Sequence, residues 1–320
     1  MNRRLFAATL AATACRRSRS SGKRRIRLAA LPRLHMAGFY LADELGYFAD
    51  EGLEIEVIKP PLAAGIYVLL SGGEADATIT SISAGLINAI GQGSRARIAA
   101  GRLRLTPGCG DAGRLFGSRQ AFPEGFQSLQ LLRGKRIAVN SAGGPQNFYL
   151  DVFLRTAGLT RADLDVQTLG VYEAAVLLGS GRLDAMVSLG EDIALSSTRG
   201  QYVEGPVVSD LLPGFMYSYL TFGRSLLDGD LAVGRAFLRA CLRGTRSYVS
   251  GTIPRFLEEF ARTNQLELPA LLAMCRRSFV LDGSIDLDDI QRFAAWSAAQ
   301  GMSPEEYQAE SLIDRRFLDA

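Results

Sequence analysis

Residues 26–58 change periodicity twice, and no other stretch constrains the fold as tightly. Ile26-Arg27-Leu28-Ala29-Ala30 is a short run that reads as a strand, its side chains pointing to alternate faces. Phe39, Leu41, Ala42 and Leu45 then recur at helical spacing, and Gly46 supplies the left-handed residue that ends a helix. Gly52 closes a second short turn. Leu53, Ile55 and Val57 alternate with Glu54 and Glu56, so the chain is extended again. Strand, helix and strand within about thirty residues make a βαβ unit, with a right-handed crossover. Ligands of such units sit beyond the carboxyl ends of the strands, which places Arg33, Leu34, His35 and the helix start at a binding position.

The rest of the chain continues in α/β style. A helix over 63–70, a strand over 76–80, a helix over 84–90 and a strand over 97–100 follow. Residues 101–120 are rich in Arg and Gly, show no clear period, and read as a first crossing between lobes. A strand over 135–140, the turn Ser141-Ala142-Gly143-Gly144-Pro145 and a helix over 146–157 open a second α/β unit. It goes on with strands over 166–169 and 184–188 and a helix over 171–178. The chain is read as crossing back around Gly205–Gly214, with a strand over 217–222 and then helices over 231–250, 253–264, 269–277 and 286–299. One internal echo supports two lobes. Leu69-Leu70-Ser71-Gly72-Gly73-Glu74-Ala75-Asp76-Ala77 parallels Leu177-Leu178-Gly179-Ser180-Gly181-Arg182-Leu183-Asp184-Ala185: a helix ends at glycines and an Asp-Ala strand follows. Two such units, each bringing a strand end and a helix start to one point, imply facing lobes with a cleft.

The formal charge of +3 conceals two different parts. Residues 1–25 hold eight basic residues and no acid; without them 28 basic residues face 33 acidic ones, a net of −5. That balance argues against a nucleic-acid-binding body. No run approaches the roughly 18 apolar residues of a membrane span. Asn2-Arg3-Arg4, an apolar core from Leu5 to Ala14 and then Cys15 read as an export leader, and Ala12-Thr13-Ala14-Cys15 resembles a lipobox. The chain is therefore expected in the periplasm or cell envelope, touching membrane only through a leader or a lipid on Cys15; the alternative is a cleaved leader whose Cys15 has no role. Residues 16–25 then form a flexible tether. Cys109, Cys241 and Cys275 remain and allow at most one disulfide. Cys241 and Cys275, both in apolar helical contexts, read as buried inert thiols.

The stretch AGFYLADELGYFADEGLEIEVI resembles the opening of the solute-binding proteins of ABC importers for sulfonates, nitrate, taurine and thiamine-pyrimidine precursors. The NMT1/THI5-like branch is most similar, since it too places a His just before the Gly-Phe-Tyr helix. The resemblance covers roughly residues 26–320 and implies a type II periplasmic binding protein fold: two α/β lobes joined by two crossings, closing like a hinge on a ligand. Behind a leader over 1–25, lobe 1 is expected over 26–104 plus 209–320 and lobe 2 over 105–208. The implied function is capture of a small organic solute, aminopyrimidine-like, sulfonate-like or more apolar, by a monomer without cofactor or catalysis that delivers it to a permease and its ATPase. Leu31-Pro32-Arg33-Leu34 before the His, and Leu189-Gly190 after a second-lobe strand, depart from thiamine-pyrimidine binders. The alternatives are a thiamine-pyrimidine synthase-like enzyme, against which the export leader argues, and a ligand sensor of the same fold.

His35 is the only histidine, so no histidine cluster for a metal exists; it reads as a ligand contact, or else as a capping or core residue. Ser141, Gly143 and Gly144 form a turn whose glycines admit close approach and whose helix start offers N–H groups to anionic oxygens, with Gln146 and Asn147 as secondary contacts. The same turn also serves as an ordinary strand-to-helix link. Ser81 and Ser83 sit in the matching turn of the first lobe, as donors or caps. Glu191, with Asp192 beside it, suits an N–H-bearing ligand, or the first turn of its own helix. Phe39 and Tyr217 are candidates for stacking, or core aromatics. Gly108-Cys109-Gly110-Asp111-Ala112-Gly113 matches a dinucleotide fingerprint but lacks the preceding strand and following helix, and is read as chance.

Overall fold

The computed structural model describes residues 23–60, 64–109, 113–188, 200–273 and 275–318. The opening unit forms as its periodicity requires. Strand β1 (Arg24–Ala29) runs parallel to β2 (Leu53–Ile58), pairing Ile26 with Ile55 and Leu28 with Val57. Helix α1 (Ala37–Glu44) lies between them, and Gly46 follows it in the left-handed region at φ 74°. A shorter helix, α2 (Tyr47–Asp50), leads into β2.

Two five-stranded sheets follow the same plan. The first has the order β2-β1-β3-β10-β4, with β3 (Ala77–Ser81), β4 (Arg97–Arg104) and β10 (Met216–Phe222). The second has the order β7-β6-β8-β5-β9, built from β5 (Arg114–Ser118), β6 (Arg136–Val139), β7 (Asp165–Thr168), β8 (Ala185–Ser188) and β9 (Tyr202–Val207). In each, the three strands of the βαβ repeats are parallel and the fourth runs against them. Helices α3 (Ala64–Gly72), α4 (Ala84–Gly91), α5 (Pro145–Thr156) and α6 (Val171–Gly179) connect these strands. The chain passes from sheet to sheet after β4 and again after β9.

The echo in the sequence is a repeated clamp. Asp76 accepts from the Arg27 backbone N–H at 2.8 Å and from its Nη2 at 2.9 Å, while the same Nη2 donates to the Gly73 carbonyl at 2.8 Å. Asp184 accepts from the Arg136 backbone N–H at 2.9 Å and Nη2 at 2.8 Å, and that Nη2 donates to the Gly181 carbonyl at 3.0 Å. Gly73 and Gly181 have φ of 76° and 70°, which a residue with a Cβ adopts only at a cost. Each clamp ties one strand to the loop entering its neighbour, at that neighbour's amino end, leaving the neighbour's carboxyl end for ligand.

Four sequence expectations differ from the structure. Residues 101–104 belong to β4, and Arg114–Ser118 is a strand rather than part of an aperiodic crossing. Both strands are buried over nearly their whole length, so neither shows the alternation of a half-exposed strand. Gly205 lies within β9, not in a crossing. The helix expected over 269–277 stops at Leu272, and Cys275 is bonded to Cys109 rather than being a buried thiol; Cys241 is free and buried. Other C-terminal helices are Leu231–Val249, Arg255–Thr263 and Leu287–Ala299. The last packs on α5 from the second unit: Phe148 meets Phe215, Phe293 and Trp296 at centroid distances of 5.1, 5.6 and 5.4 Å. Trp296 Nε1 donates to Asp151 across this contact at 2.7 Å. The leader and Cys15 lie outside the described residues; among those described, no helix is long and apolar enough to cross a membrane.

Candidate functional site

A cavity of about 350 Å³ opens where the carboxyl ends of both sheets converge. The first sheet contributes Arg33 and His35 beyond β1 and Ser81 to Ser83 at the end of β3; the second contributes Asn140 to Gly144 beyond β6, except Ala142. Ile66 and Tyr67 of α3 and the first residues of α4 and α5 complete the wall. The parallel strands dictate this placement, because each ends in a turn that starts a helix at the same edge of its sheet.

His35 sits half-buried in a single 3-10 turn, Leu34–Met36, and lines the cavity. Its carbonyl accepts from Nη2 of Arg102 at 3.3 Å. Arg102 is wholly buried, and burial draws its pKa down, with a smaller opposing effect from Cys241. The Cys241 thiol is itself pushed up to about 12 by burial. Ser83 caps α4, accepting from the Leu86 N–H at 3.2 Å and donating to the Tyr67 hydroxyl at 2.8 Å. That hydroxyl donates in turn to the Ser81 carbonyl at 3.3 Å. Burial raises the Tyr67 pKa, and its hydrogen bonds with Ser83 and Thr80 oppose the rise.

In the second sheet's turn Ser141 is exposed, Gly144 is the N-cap of α5 and Pro145 its first residue. Proline there costs no hydrogen bond, since the first N–H groups of a helix have no partner within it. The Gly143 carbonyl accepts from the Ala84 N–H at 2.9 Å, so the two turns touch directly and close one side of the cavity. A Cβ on Gly143 would come within 3.0 Å of the Ala84 Cβ, tighter than ordinary packing.

The structure thus brings His35, Ser81, Ser83, Ser141, Gly143 and Gly144 into one wall. It does not bring Phe39, Tyr217 or Asn147 there. Phe39 is 1 % exposed and packs on Phe48 at 5.3 Å in the core beneath α1, and Tyr217 is a buried residue of β10. Asn147 turns back into its own element: its amide nitrogen donates to the Ala142 carbonyl, and its oxygen accepts from Arg161 at 2.6 Å. These are aromatic and amide side chains satisfied by packing, which spacing alone does not distinguish from ligand contacts. Glu191 and Asp192 lie outside the described residues. Sequence reasoning did not single out Tyr67 or Asn140. Asn140 could have been found as the first residue after a strand aimed at the site; Tyr67, in an apolar helix, left no such signal.

The electrostatics favour an anion. The N-termini of α4 and α5 both end at the cavity, and the N–H groups of Gly85 and Gln146 there make no hydrogen bond with the described residues. Arg33 and His35 are in the wall, and the described lining contains no carboxylate. Asn140 Oδ1 is buried without a partner among the described residues, an open position for a ligand or water. No group of three or more His, Cys, Asp or Glu among the described residues is placed to hold a metal.

Two sheets of equal topology, two crossings and a cleft at their joined carboxyl ends define the periplasmic binding protein fold. The family model described as "NMT1/THI5 like" matches residues 34–94, the stretch carrying α1, α3 and α4. The ligand-binding component of an ABC-type import system from Staphylococcus aureus, solved with zinc bound, superposes with a TM-score of 0.75 at 12% identity, covering 93% of this chain and 98% of that one. The periplasmic aliphatic sulphonate binding protein SsuA from Escherichia coli gives 0.71 at 17% identity, over 92% and 93% of the two chains. The periplasmic nitrate-binding protein NrtA from Synechocystis PCC 6803 gives 0.71 at 11% identity, over 92% and 87%. No curated protein sequence matches the chain significantly.

Proposed function

We propose that this protein is the exported solute-binding component of an ABC importer and that it captures a small organic molecule with an anionic head between its lobes. Lobe 1 is residues 26–104 with 209–320 and lobe 2 is residues 105–208, one sheet in each. The carrying observation is the cavity at the joined strand ends, walled by both sheets, with two helix N-termini, Arg33 and His35 around it. A sulfonate, phosphonate or carboxylate accepts from Gly85, Gln146 and Ser141 there, while Asn140 takes a donor or a water. Closure brings the Ala84 N–H onto the Gly143 carbonyl. Affinity then reflects both contacts and the population of the closed state. The cargo is bound and released without a bond being made or broken, and the closed form docks on a permease driven by its ATPase. The chain acts as a monomer in the periplasm or envelope, held there by a lipid on Cys15 or freed by cleavage of the leader.

Native mass spectrometry of the protein purified from the envelope fraction, followed by denaturation and identification of what is released, tests this reading. One intact anionic molecule per chain is the expected result. A released cation contradicts the assigned chemistry, and conversion of an added candidate contradicts the transport role in favour of an enzyme of the same fold.

A further inference from the structure

A second cavity, of about 720 Å³, abuts the first, since Leu31 and Arg33 line both. Its wall comes from α1, the helix Arg255–Thr263 and, from the other sheet's side, Tyr172 at the start of α6. Tyr40 and Phe256 stack in it with centroids 4.1 Å apart and planes at 16°. Tyr172 is 56% exposed, so its ring is open to the cavity's contents.

The acids around these rings are not equivalent. Glu44 accepts from the backbone N–H groups of Arg255 and Phe256 at 3.0 and 3.1 Å, holding the helix start, and its carboxylate lies 3.8 Å from the Arg255 guanidinium. Asp43 and Glu259, by contrast, have no hydrogen-bonded or ion-paired partner among the described residues. Glu259 is near the Tyr40 ring: burial raises the pKa of that hydroxyl and the Glu259 charge adds to the rise. A stacked aromatic surface bordered by uncommitted carboxylates attracts a flat cation, by ring quadrupole and by charge. An apolar tail would leave those carboxylates desolvated and unpaired; Arg33, Lys59 and Arg255 in the same lining balance the acids overall, so it is the stacked rings together with Asp43 and Glu259 that favour a cation.

We infer that the two cavities hold one bipolar ligand, its anionic head between the lobes and a positively charged, nitrogen-bearing aromatic group on Tyr40 and Phe256 beside Asp43 and Glu259. This rests on the binding-protein reading above and names the ligand class. Arg33, common to both cavities, marks where head and tail join.

Calorimetric titration with two probes tests it: propanesulfonate, which has only the head, and pyridinio-propanesulfonate, which adds a flat aromatic cation. The second binds roughly tenfold more tightly than the first. In Asp43→Asn/Glu259→Gln and in Tyr172→Ala the affinity ratio of the two probes falls to near one. These are exposed positions, so the variants keep the fold, whereas Phe256→Ala removes a half-buried ring. Equal affinities in the wild type, or a ratio that survives both variants, overturns the inference while leaving head binding intact. Failure of both probes overturns the binding-protein reading together with it.

Discussion

Arg27 and Arg136 hold the same place in their two sheets, and each grips the aspartate entering the neighbouring strand and a glycine carbonyl in the loop before it. The carboxylates differ in their surroundings. Asp76 also accepts from the Ser225 hydroxyl at 2.6 Å, and its side chain is 9% exposed against 16% for Asp184. At the other edge of the sheets the likeness ends. The first turn is fixed by hydroxyls, Ser83 bridging the Leu86 N–H and Tyr67. The second is glycine-rich, with exposed Ser141 and with Asn147 bracing it from behind. A repeated scaffold at one edge therefore carries two unlike ligand-facing turns at the other, one rigid through side chains and one able to approach its partner through bare backbone.

The disulfide is the largest lever on this comparison, because it ties the crossing between the two halves to the C-terminal region. Cys109, on the crossing after β4, is joined to Cys275, 166 residues on, near the bridge of Leu103 with Phe279. Reducing it lowers stability by about 4 kcal/mol in urea unfolding. A loss below about 1 kcal/mol would mean that packing alone holds the crossing. Next come the clamps. Asp76→Ala costs about 3 kcal/mol and Asp184→Ala about 2, since each leaves a backbone N–H unpaired and takes the carboxylate from a guanidinium that keeps only its glycine carbonyl, and the first site is drier. Equal losses would show that Ser225 and the deeper burial contribute nothing.

Acid titration separates the clamps from the rest of the molecule. Burial alone would raise the Asp76 pKa, but Arg27 and Ser225 outweigh it and hold the carboxyl below its usual range. The Arg136 guanidinium does the same for Asp184 against a weaker burial effect. Carboxyls depressed on folding give stability that is present above the unfolded pKa, about 3.9, and lost as pH falls below it. The stability gap between wild type and Asp76→Asn therefore narrows below about pH 4; a gap constant on acidification contradicts the assignment. The smallest effect is at the turn: Ser83→Ala removes the cap of α4 and costs about 1 kcal/mol in thermal unfolding. No change there would mean that Tyr67 stands without it.

The opening βαβ unit was legible because each of its elements has one buried and one exposed face, which stamps a period on the sequence. The second half of β4, and β5 and β9, were not, since β4 and β5 are buried on both faces and β9 is nowhere deeply buried, so none shows the in-out alternation. The cavity turns could be placed as strand ends meeting helix starts. Phe39, Tyr217 and Asn147 could not be sorted from ligand contacts, because burial in the core and burial by a ligand leave the same residue types. The pairing of Cys109 with Cys275 depends on a meeting in space that spacing along the chain does not encode.

The central claim is that a small anion is held by closure of one turn upon the other, and Gly143→Val tests it most directly. The added side chain meets Ala84 where only 3.0 Å is open even to a Cβ, yet it lies on a turn and leaves both clamps untouched. Calorimetric titration with propanesulfonate should show one-to-one binding to the wild type. In the variant that binding is weakened at least roughly tenfold, with thermal unfolding little changed. Equal affinity in the two proteins would contradict closure through this contact, and no binding to either would contradict the site itself.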